Sequence, residues 1–549
     1  MTFVVKIMTE QNNRIFASLD FVIENNIIKG VQEPTNVPFF TGELILQFLR
    51  NKPDHVGQIE VETGKQSTYA EMEDKSVRCA LWMKKHGIGN GDVVVTCSHN
   101  HLDTYVPVFA TFYLGAVYNA WSPDTNLDLA RYLMKLLTPK LVFVCEGAAN
   151  VLQQAAKLEN IETEFVVFAS HSNLRCLNNI IKEQSKDEVK RFIPERIRNP
   201  EELAAIILSS GTTGIPKPAM FSHKSFLINV YKRLYNKSNY VRMWYATLNW
   251  LSGIALTFTT LFNYDTRIIH MTPDAEETCR VIEKYKVSIV FFIPSIITYL
   301  AKSNAIDKYD LSSLKSVMFG GAQPNRTALK ILQKRIPNAA LNHAYGMTEF
   351  GRSIACQYRQ CKSYESIGFV VSNTEMKVVS LKSGKILGPH AIGELRFKSR
   401  SMMLGYFGNL EATKQAFDKE GWLRSGDLGY YNEHGEIFLL DRVNELIKYK
   451  NHLLSPNEIE QALMINPAVT EVAVVPISHK KDGEWPIAFV KIIPGSKVPG
   501  RDLIKLSSVL GEEKKLRGGI VFLDDLPKVT SAKIARHELK RVAKNITHA

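Results

Sequence analysis

The stretch LSSGTTGIPKPAMFSH, from Leu208 to His223, places hydroxyl side chains, glycines and one lysine between two apolar segments. The apolar run Ala204–Leu208 predicts a short buried strand, and Ser222 is a suitable N-cap for a helix with apolar residues at helical spacing. Backbone N–H groups, hydroxyls and a lysine charge in the connecting loop suit phosphate oxygens. The stretch therefore predicts a strand, a phosphate-binding loop and a helix.

The candidate phosphate ligands of this loop are Ser209, Ser210, Gly211, Thr212, Thr213, Gly214 and Lys217. A Walker loop requires Gly-Lys-Ser/Thr in succession, whereas Pro216 and Pro218 flank the lysine here. The pattern therefore excludes a P-loop ATPase or GTPase. A glycine and hydroxyl run alone is also typical of an ordinary surface loop, so the assignment depends on motifs elsewhere in the chain.

The composition is that of a globular enzyme with at least two domains. The chain has 549 residues, of which 45% are hydrophobic and 22% are charged. Its formal net charge is +13, and the basic residues are spread along the chain without a dense block. This distribution favours anionic small ligands and argues against nucleic-acid binding.

Short β-branched runs alternate with amphipathic helical stretches through most of the chain, which predicts an α/β fold with parallel layers. The predicted strands include Val93–Thr96, Leu141–Cys145, Phe165–Phe168 and Ile289–Phe292, and the predicted helices include Tyr69–His86 and Pro324–Arg335. After about Leu440 the sequence becomes a polar stretch. A helix with Pro456 near its start follows, and we expect the remaining residues to form a small α+β unit.

The cysteines and the termini bear on the compartment. The seven cysteines are odd in number and scattered, which favours reduced thiols, and we interpret the close pair Cys356 and Cys361 as structural. The first residues lack a secretory signal, and the apolar segment Val287–Ala301, interrupted by Pro294, predicts buried core and not a membrane span. We expect an intracellular monomer, cytoplasmic or peroxisomal, although the C-terminus lacks a Ser-Lys-Leu signal.

The complete stretch Leu208–His223 resembles the signature of the acyl-adenylate-forming superfamily, which includes acyl-CoA synthetases, 4-coumarate–CoA ligases and beetle luciferases. The resemblance implies that the loop holds the β- and γ-phosphates of ATP. Pro218 stands where the family usually has glycine. Because proline is rigid and lacks an N–H donor, we expect weaker phosphate binding or loop closure.

Further motifs of the same superfamily follow in order, and the resemblance spans roughly Thr41 to Lys544. They are FGGAQP (Phe319–Pro324), AYGMTE (Ala344–Glu349), GWLRSGDLGYY (Gly421–Tyr431), DRVNELIKYK (Asp441–Lys450) and PKVTSAK (Pro527–Lys533). The nucleotide contacts that they imply are Gly320, Gly321, Ala322, Ala344, Tyr345, Gly346, Met347, Thr348, Asp427, Arg442 and Lys533. Five motifs in the correct order are far more specific than any one of them.

The resemblance also implies individual roles. Tyr345 would stack near adenine, Asp427 and Arg442 would bind the ribose, Thr348 would contact phosphate and Glu349 would help to hold Mg²⁺. Lys533 would bridge the carboxylate and the phosphate during adenylation, a reaction in which the acid attacks the α-phosphorus of ATP and pyrophosphate leaves.

A large multi-subdomain α/β domain and a small mobile α+β domain are implied as well. We predict an adenylation domain at residues 1–440, a hinge at 441–446 and a C-terminal lid at 447–549. Rotation of the lid would withdraw Lys533 and bring Lys448 towards the adenylate for the second half-reaction. In most of the family, coenzyme A is the acceptor in that step, and in luciferases O₂ oxidises the adenylate.

The sequence departs from the family pattern around this second step. Asn444 replaces the usual hinge Asp or Lys, Asn451 replaces a glycine at the mouth of the pantetheine tunnel, and Leu453 replaces a glutamine. These changes weaken the case for coenzyme A, whose predicted contacts are Lys450 and Asn451.

The predicted acyl pocket comprises His223, Trp250, Gly253, Gly321 and Gly346. In this chain, Asn249-Trp250-Leu251 stands where beetle luciferases have a run of histidines. The resulting pattern is closer to that of insect fatty acyl-CoA synthetases. Trp250 is also compatible with plain core packing. The favoured hypothesis is a CoA ligase for a medium- or long-chain fatty acid. The alternatives are a luciferase-type monooxygenase and a non-catalytic binding protein on the same scaffold.

Overall fold

A computed structural model describes residues 3–5, 21–33, 40–169, 173–209, 215–231, 239–357, 364–450, 452–528 and 534–546. Within this part of the chain, no helix combines the length and the apolar character that crossing a membrane would require.

The described residues form strands and helices in alternation. The strands are β1 (Phe3–Val5), β2 (Phe21–Glu24), β3 (Ile27–Gly30), β4 (Val56–Glu60), β5 (Gln66–Thr68), β6 (Val93–Cys97), β7 (Val117–Trp121), β8 (Leu141–Val144), β9 (Glu164–Val167), β10 (Arg175–Cys176), β11 (Leu203–Ser209), β12 (Lys217–Ser222), β13 (Val241–Trp244), β14 (Thr266–Ile269), β15 (Ile289–Phe292), β16 (Ser316–Gly320), β17 (Ala340–Met347), β18 (Arg352–Cys356), β19 (Ser366–Val370), β20 (Glu375–Val379), β21 (Ile386–Leu387), β22 (Gly393–Lys398), β23 (Gly405–Tyr406), β24 (Leu423–Tyr431), β25 (Ile437–Arg442), β26 (Ile447–Tyr449), β27 (His452–Leu454), β28 (Val469–His479), β29 (Gly483–Ile492) and β30 (Ile520–Phe522). The helices are α1 (Thr41–Asn51), α2 (Tyr69–Lys85), α3 (Tyr105–Tyr113), α4 (Leu127–Leu137), α5 (Glu146–Leu158), α6 (Leu177–Lys182), α7 (Lys186–Lys190), α8 (His223–Val230), α9 (Leu251–Asn263), α10 (Ala275–Tyr285), α11 (Pro294–Lys302), α12 (Arg326–Arg335), α13 (Leu410–Ala416), α14 (Pro456–Leu463), α15 (Gly500–Ser508) and α16 (Arg536–Ile546).

Two sheets form the larger part of the molecule. In one, the strand order is β10-β9-β8-β6-β7-β11-β12-β23, parallel from β10 to β11 and antiparallel from β11 to β23. In the other, strands β4 and β13 to β17 pair in parallel, and an antiparallel region continues from β17 through β18, β19, β25, β24 and β22. Parallel strands joined by helices confirm the predicted α/β class.

A third, five-stranded sheet contains β26 to β30 and packs with α14, α15 and α16. This arrangement confirms the small α+β unit expected after about Leu440. Among the described residues, the apolar clusters of this unit draw only on positions 447–543, and the other clusters only on positions 21–439. The C-terminal unit therefore has a core of its own.

Polar contacts join the C-terminal unit to the rest of the chain. The Nζ atom of Lys302, at the end of α11, donates to the carbonyl oxygens of Pro467 at 3.2 Å and Val469 at 2.7 Å. The carboxylate of Asp441, on β25, accepts from Ser455 Oγ at 2.6 Å and from the backbone N of Asn457 at 3.0 Å. The two bonds to Asp441 fix the start of α14 against the end of β25.

Local sequence signals explain where many helices begin. Thr68 precedes α2, and its hydroxyl accepts from the backbone N of Glu71 while the Glu71 carboxylate accepts from the backbone N of Thr68. Ser222 caps α8 as predicted, accepting from the backbone N of Ser225 at 3.1 Å. Pro294 occupies the first turn of α11, so it starts a helix after β15 within the apolar segment predicted as core.

One important strand is not apparent from the sequence. The pattern predicts a loop at residues 217–222, but they form β12, which lies between β11 and β23. Its apolar residues are too few and too close to the prolines to show a strand period, so pairing on both sides decides the conformation. The predicted helix at Pro324 starts later, at Arg326, because Asn325 is its N-cap.

Candidate functional site

The predicted phosphate loop connects two paired strands. Ser209 ends β11, Lys217 begins β12, and the two residues are direct partners in the antiparallel ladder. The loop is thus held at both ends by the sheet. Its remaining predicted ligands lie outside the described residues, namely Ser210, Gly211, Thr212, Thr213 and Gly214.

Pro218 has a structural environment that the sequence did not indicate. Its carbonyl oxygen accepts from the backbone N of Phe407 at 2.8 Å, on the side of β12 that faces β23. Because the N–H and C=O of one strand residue point to the same side, the donor that proline lacks would also face Phe407. The missing hydrogen bond therefore belongs to the sheet and not to the phosphate loop.

Two of the predicted nucleotide contacts, Tyr345 and Arg442, bind the carboxylate of a third, Asp427. The Tyr345 hydroxyl donates to Asp427 Oδ2 at 2.5 Å, and Arg442 Nε donates to Asp427 Oδ1 at 2.7 Å. Tyr345 lies on β17, whereas Asp427 and Arg442 are directly paired residues on β24 and β25. Asp427 therefore lies where β17, the last of the parallel strands, comes close to the antiparallel strands β24 and β25.

The charges around Asp427 are strongly coupled. The charge of Asp427 raises the pKa of the Arg442 guanidinium against the effect of burial, and Glu349 contributes to the same rise. Burial, followed by the charge of Asp427, raises the pKa of Tyr345. Tyr345 therefore stays a hydrogen-bond donor at neutral pH, and Arg442 lies within electrostatic reach of both carboxylates.

Glu349, the predicted metal ligand, lies in a 3-10 turn at Thr348–Phe350 directly after β17. Its Oε1 atom accepts from the Tyr406 hydroxyl at 2.7 Å. Tyr406 is a site residue that the sequence motifs did not predict, because it lies on β23, outside all the motifs used to find the site.

The described residues contain no cluster of three or more His, Cys, Asp or Glu side chains that could hold a metal ion. A single carboxylate beside a phosphate loop instead suits Mg²⁺, which binds proteins through one or two carboxylates plus phosphate oxygens of the substrate. The residues present therefore fit a magnesium ion that arrives with a nucleotide.

The predicted adenine-binding turn comes after β16, in which Gly320 pairs with Ala344 of β17. A β-carbon on Gly320 would lie 2.3 Å from the Ala344 carbonyl oxygen, so the paired strands already require glycine there. Gly321 has a φ of +93°, and a β-carbon there would meet no atom of the described residues within 4 Å. Gly321 and Ala322 are not buried among those residues, so this turn borders open space.

In the predicted acyl pocket, His223 starts α8 and is fully buried, and neither ring nitrogen has a hydrogen-bond partner among the described residues. Burial lowers the pKa of His223 to about 4, so the ring is neutral at pH 7. Trp250 is the N-cap of α9 and is half-buried, so it does not belong to the fully buried core.

Two glycines of the predicted pocket have packing explanations. A β-carbon on Gly253 would lie 2.0 Å from the Thr247 carbonyl oxygen, and one on Gly346 would lie 2.8 Å from the Arg352 carbonyl oxygen. Backbone contact therefore accounts for both glycines, and their contact with an acyl group stays a prediction.

Two residues considered for the second half-reaction, Lys448 and Leu453, lie on the β26–β27 hairpin. Lys448 is exposed on β26, and Leu453 is 59% exposed on β27. Lys450 has a φ of +50°, and its backbone N donates to the Asp482 carbonyl at 2.7 Å. Asn444 is exposed between β25 and β26. Asn451 and the predicted adenylation lysine, Lys533, lie outside the described residues.

Comparison with known proteins bears on the family of the chain. The family model for AMP-binding enzymes matches residues 47–407, and the model for the AMP-binding enzyme C-terminal domain matches residues 458–533. The chain is 32% identical to the luciferin 4-monooxygenase of Photuris pensylvanica, over 86% of this chain and 89% of that protein. It is 31% identical to the 4-coumarate–CoA ligase CCL1 of Humulus lupulus, over 96% and 98% respectively.

A solved structure of the luciferase-like enzyme from the nonluminescent Zophobas morio mealworm is also similar. The two chains are 30% identical with a TM-score of 0.70, over 76% of this chain and 99% of that chain. The chain belongs to the AMP-binding family of adenylate-forming enzymes. This assignment confirms the family and the fold class that the motifs predict.

Proposed function

We propose that this protein activates a carboxylic acid with ATP and transfers the acyl group to coenzyme A. The favoured substrate class is a medium- or long-chain fatty acid. The observation that carries the proposal is the convergence on Asp427, where Tyr345 and Arg442 bind one carboxylate and the charge of Glu349 also acts on Arg442.

In the first half-reaction, Asp427 accepts hydrogen bonds from the ribose hydroxyls, and Lys217 and the loop hydroxyls bind the outgoing pyrophosphate. The carboxylate of the acid attacks the α-phosphorus, so a P–O bond to the acyl oxygen forms as the bond to pyrophosphate breaks. Negative charge grows on the phosphoryl oxygens, and the cations Lys217 and Lys533 stabilise it. Magnesium, held by Glu349, would neutralise further phosphate charge.

The residues predicted for the acyl pocket support an apolar acid. His223, one of these residues, is neutral at pH 7, so it offers no cation to bind a second carboxylate. This favours a monocarboxylic acid with an apolar tail, because burying a charged tail without a partner is costly.

In the second half-reaction, the thiol of coenzyme A attacks the acyl carbonyl carbon and AMP leaves. We place Lys448, Lys450 and Asn451 at the face of the C-terminal unit that would meet the adenylate in this step. The similarity to 4-coumarate–CoA ligases over almost the whole chain supports coenzyme A as the acceptor.

Oxidation of the adenylate by O₂ with light emission is a second candidate, favoured by the similarity to the Photuris luciferin 4-monooxygenase. The run Asn249-Trp250-Leu251, in place of histidines, argues against it.

The test is carboxylate-dependent ATP–pyrophosphate exchange across a panel of fatty and aromatic acids, followed by AMP release with and without coenzyme A. Exchange with fatty acids and a CoA-dependent increase in AMP support the proposal. Exchange without any response to coenzyme A, together with photon emission from a candidate luciferin, would support the oxidase. No exchange with any acid would leave the binding-protein hypothesis.

A further inference from the structure

Residues 401–407 form a strap across the site. The carbonyl oxygen of Ser401 accepts from Asn229 Nδ2 at 2.9 Å, and the backbone N of Met403 donates to the Glu349 carbonyl at 2.9 Å. The backbone N of Leu404 donates to the Met220 carbonyl at 2.8 Å. The strap therefore ties the turn that carries Glu349 to the strand that comes after the phosphate loop.

Tyr406 is the strap residue whose side chain points to the predicted ligands. It is 8% exposed, its hydroxyl donates to Glu349 Oε1 at 2.7 Å, and Lys217 Nζ lies 5.4 Å from the centre of its ring. Burial, followed by the charge of Glu349, raises the pKa of Tyr406, whereas a hydrogen bond with the Ser209 side chain lowers it. One tyrosine thus contacts groups from three separate elements.

We propose that Tyr406 is a positioning residue that orients Glu349 for magnesium and supports Lys217 for phosphate. This inference rests on the proposed function. A glutamate side chain loses rotamer freedom when it binds a metal, and a hydrogen bond that fixes one oxygen beforehand reduces that loss. The bond to Oε1 leaves Oε2 available to the ion, and the ring face is a favourable neighbour for the Lys217 ammonium group.

The sheet makes the position of Tyr406 rigid. Its backbone pairs with Ala219 of β12, and its backbone N donates to Thr413 Oγ1 at 2.8 Å. A β-carbon on Gly405 would lie 2.7 Å from Thr413 Cγ2, so the strap and α13 are in close contact. The hydroxyl is therefore presented from a fixed backbone, as a positioning group requires.

The experiment measures ATP affinity of the full chain by calorimetry, in EDTA and in excess Mg²⁺, for the wild type and Y406F. Mg²⁺ raises the affinity for ATP, and we expect this rise to be about tenfold smaller in Y406F than in the wild type. The loss of a hydrogen bond to a charged group has about this effect. Affinity in EDTA should change by less than about threefold, because the ring keeps its contact with Lys217 and the hydrogen bond lost to the neutral Ser209 side chain is weaker than one to a charged carboxylate.

The matched control is Y69F, which removes another buried tyrosine hydroxyl, one that donates to the Leu261 carbonyl at 3.1 Å. It should keep the full magnesium effect. In the double variant Y406F/E349Q, the loss should not exceed that of E349Q alone, since Tyr406 acts through Glu349.

Thermal melting of each variant without ligand separates this role from a purely structural one. A Y406F protein that melts like the wild type but has lost its magnesium response supports the inference. An unchanged magnesium response, an equal loss in EDTA and in Mg²⁺, or a full additional loss on the E349Q background would overturn it. A wild type with no ATP affinity under either condition would instead overturn the proposed function.

Discussion

Arg442 donates to Asp427 across two paired strands, at a distance of 2.7 Å. Arg442 is also the last residue of β25, and the next strand, β26, already belongs to the C-terminal sheet. The carboxylate proposed to bind the ribose is therefore attached to the segment through which the C-terminal unit is connected. A nucleotide that competes for Asp427 would act directly on the start of that connection.

Asp427→Asn should raise the KM for ATP by about 10- to 100-fold, because charge-assisted hydrogen bonds contribute about 1.5–3 kcal/mol. The amide keeps the size of the side chain but loses the charge that Arg442 and a ribose would share. Steady-state kinetics with ATP as the varied substrate measure this change. An unchanged KM would show that Asp427 has no contact with the nucleotide.

Lys533→Ala and Lys448→Ala should separate the two half-reactions. We expect Lys533→Ala to slow adenylation by orders of magnitude and to spare thioester formation from supplied acyl-AMP, and Lys448→Ala to have the opposite effect. Pyrophosphate exchange and thioester release measure the two steps independently. Equal losses in both steps for either variant would contradict the assignment of the two lysines to different faces.

Pro218→Gly, which restores the residue usual in the family, should change the KM for ATP by no more than about twofold. The missing N–H faces Phe407 in the sheet, so glycine would not add a donor to the phosphate loop. Stability should fall by up to about 1 kcal/mol, since glycine increases the freedom of the unfolded chain. A tenfold or larger gain in ATP affinity would show that proline restrains the loop.

The melting temperature should fall as the pH decreases from about 6.5 to 4. The buried His223 has a pKa of about 4 against an ordinary value of 6.5, so in this range the unfolded chain binds a proton that the folded chain does not. The difference of about 2.5 units corresponds to roughly 3 kcal/mol at most. His223→Phe should reduce the pH dependence, whereas His434→Phe, at a side chain 75% exposed, should leave it as in the wild type.

The sequence was sufficient to predict the elements whose patterns are local. The strands around Val93, Leu141 and Ile289 and the cap at Ser222 result from apolar periodicity and capping chemistry, and the structure confirms them. The polar stretch after Leu440 likewise indicated a separate α+β unit, which contains the third sheet. Ordered motifs then led to the family, which the comparisons confirm.

Relationships across long chain distances could not be predicted from the sequence. Tyr406 is 57 residues from Glu349, and no periodicity connects the two. The strand character of residues 217–222 likewise depends on pairing with β23, about 190 residues further along the chain. Backbone carbonyls would meet a β-carbon added to Gly253 or Gly346, so packing alone explains both glycines, and their contact with an acyl group stays a prediction.

The separate core of the C-terminal unit has a thermodynamic consequence. Cooperative unfolding extends only as far as tightly packed apolar contacts are shared, and the described cores divide between positions 439 and 447. We expect calorimetry of the full chain to resolve two heat-absorption peaks. Stability measured by a single spectroscopic probe would then describe one part of the molecule and not the whole.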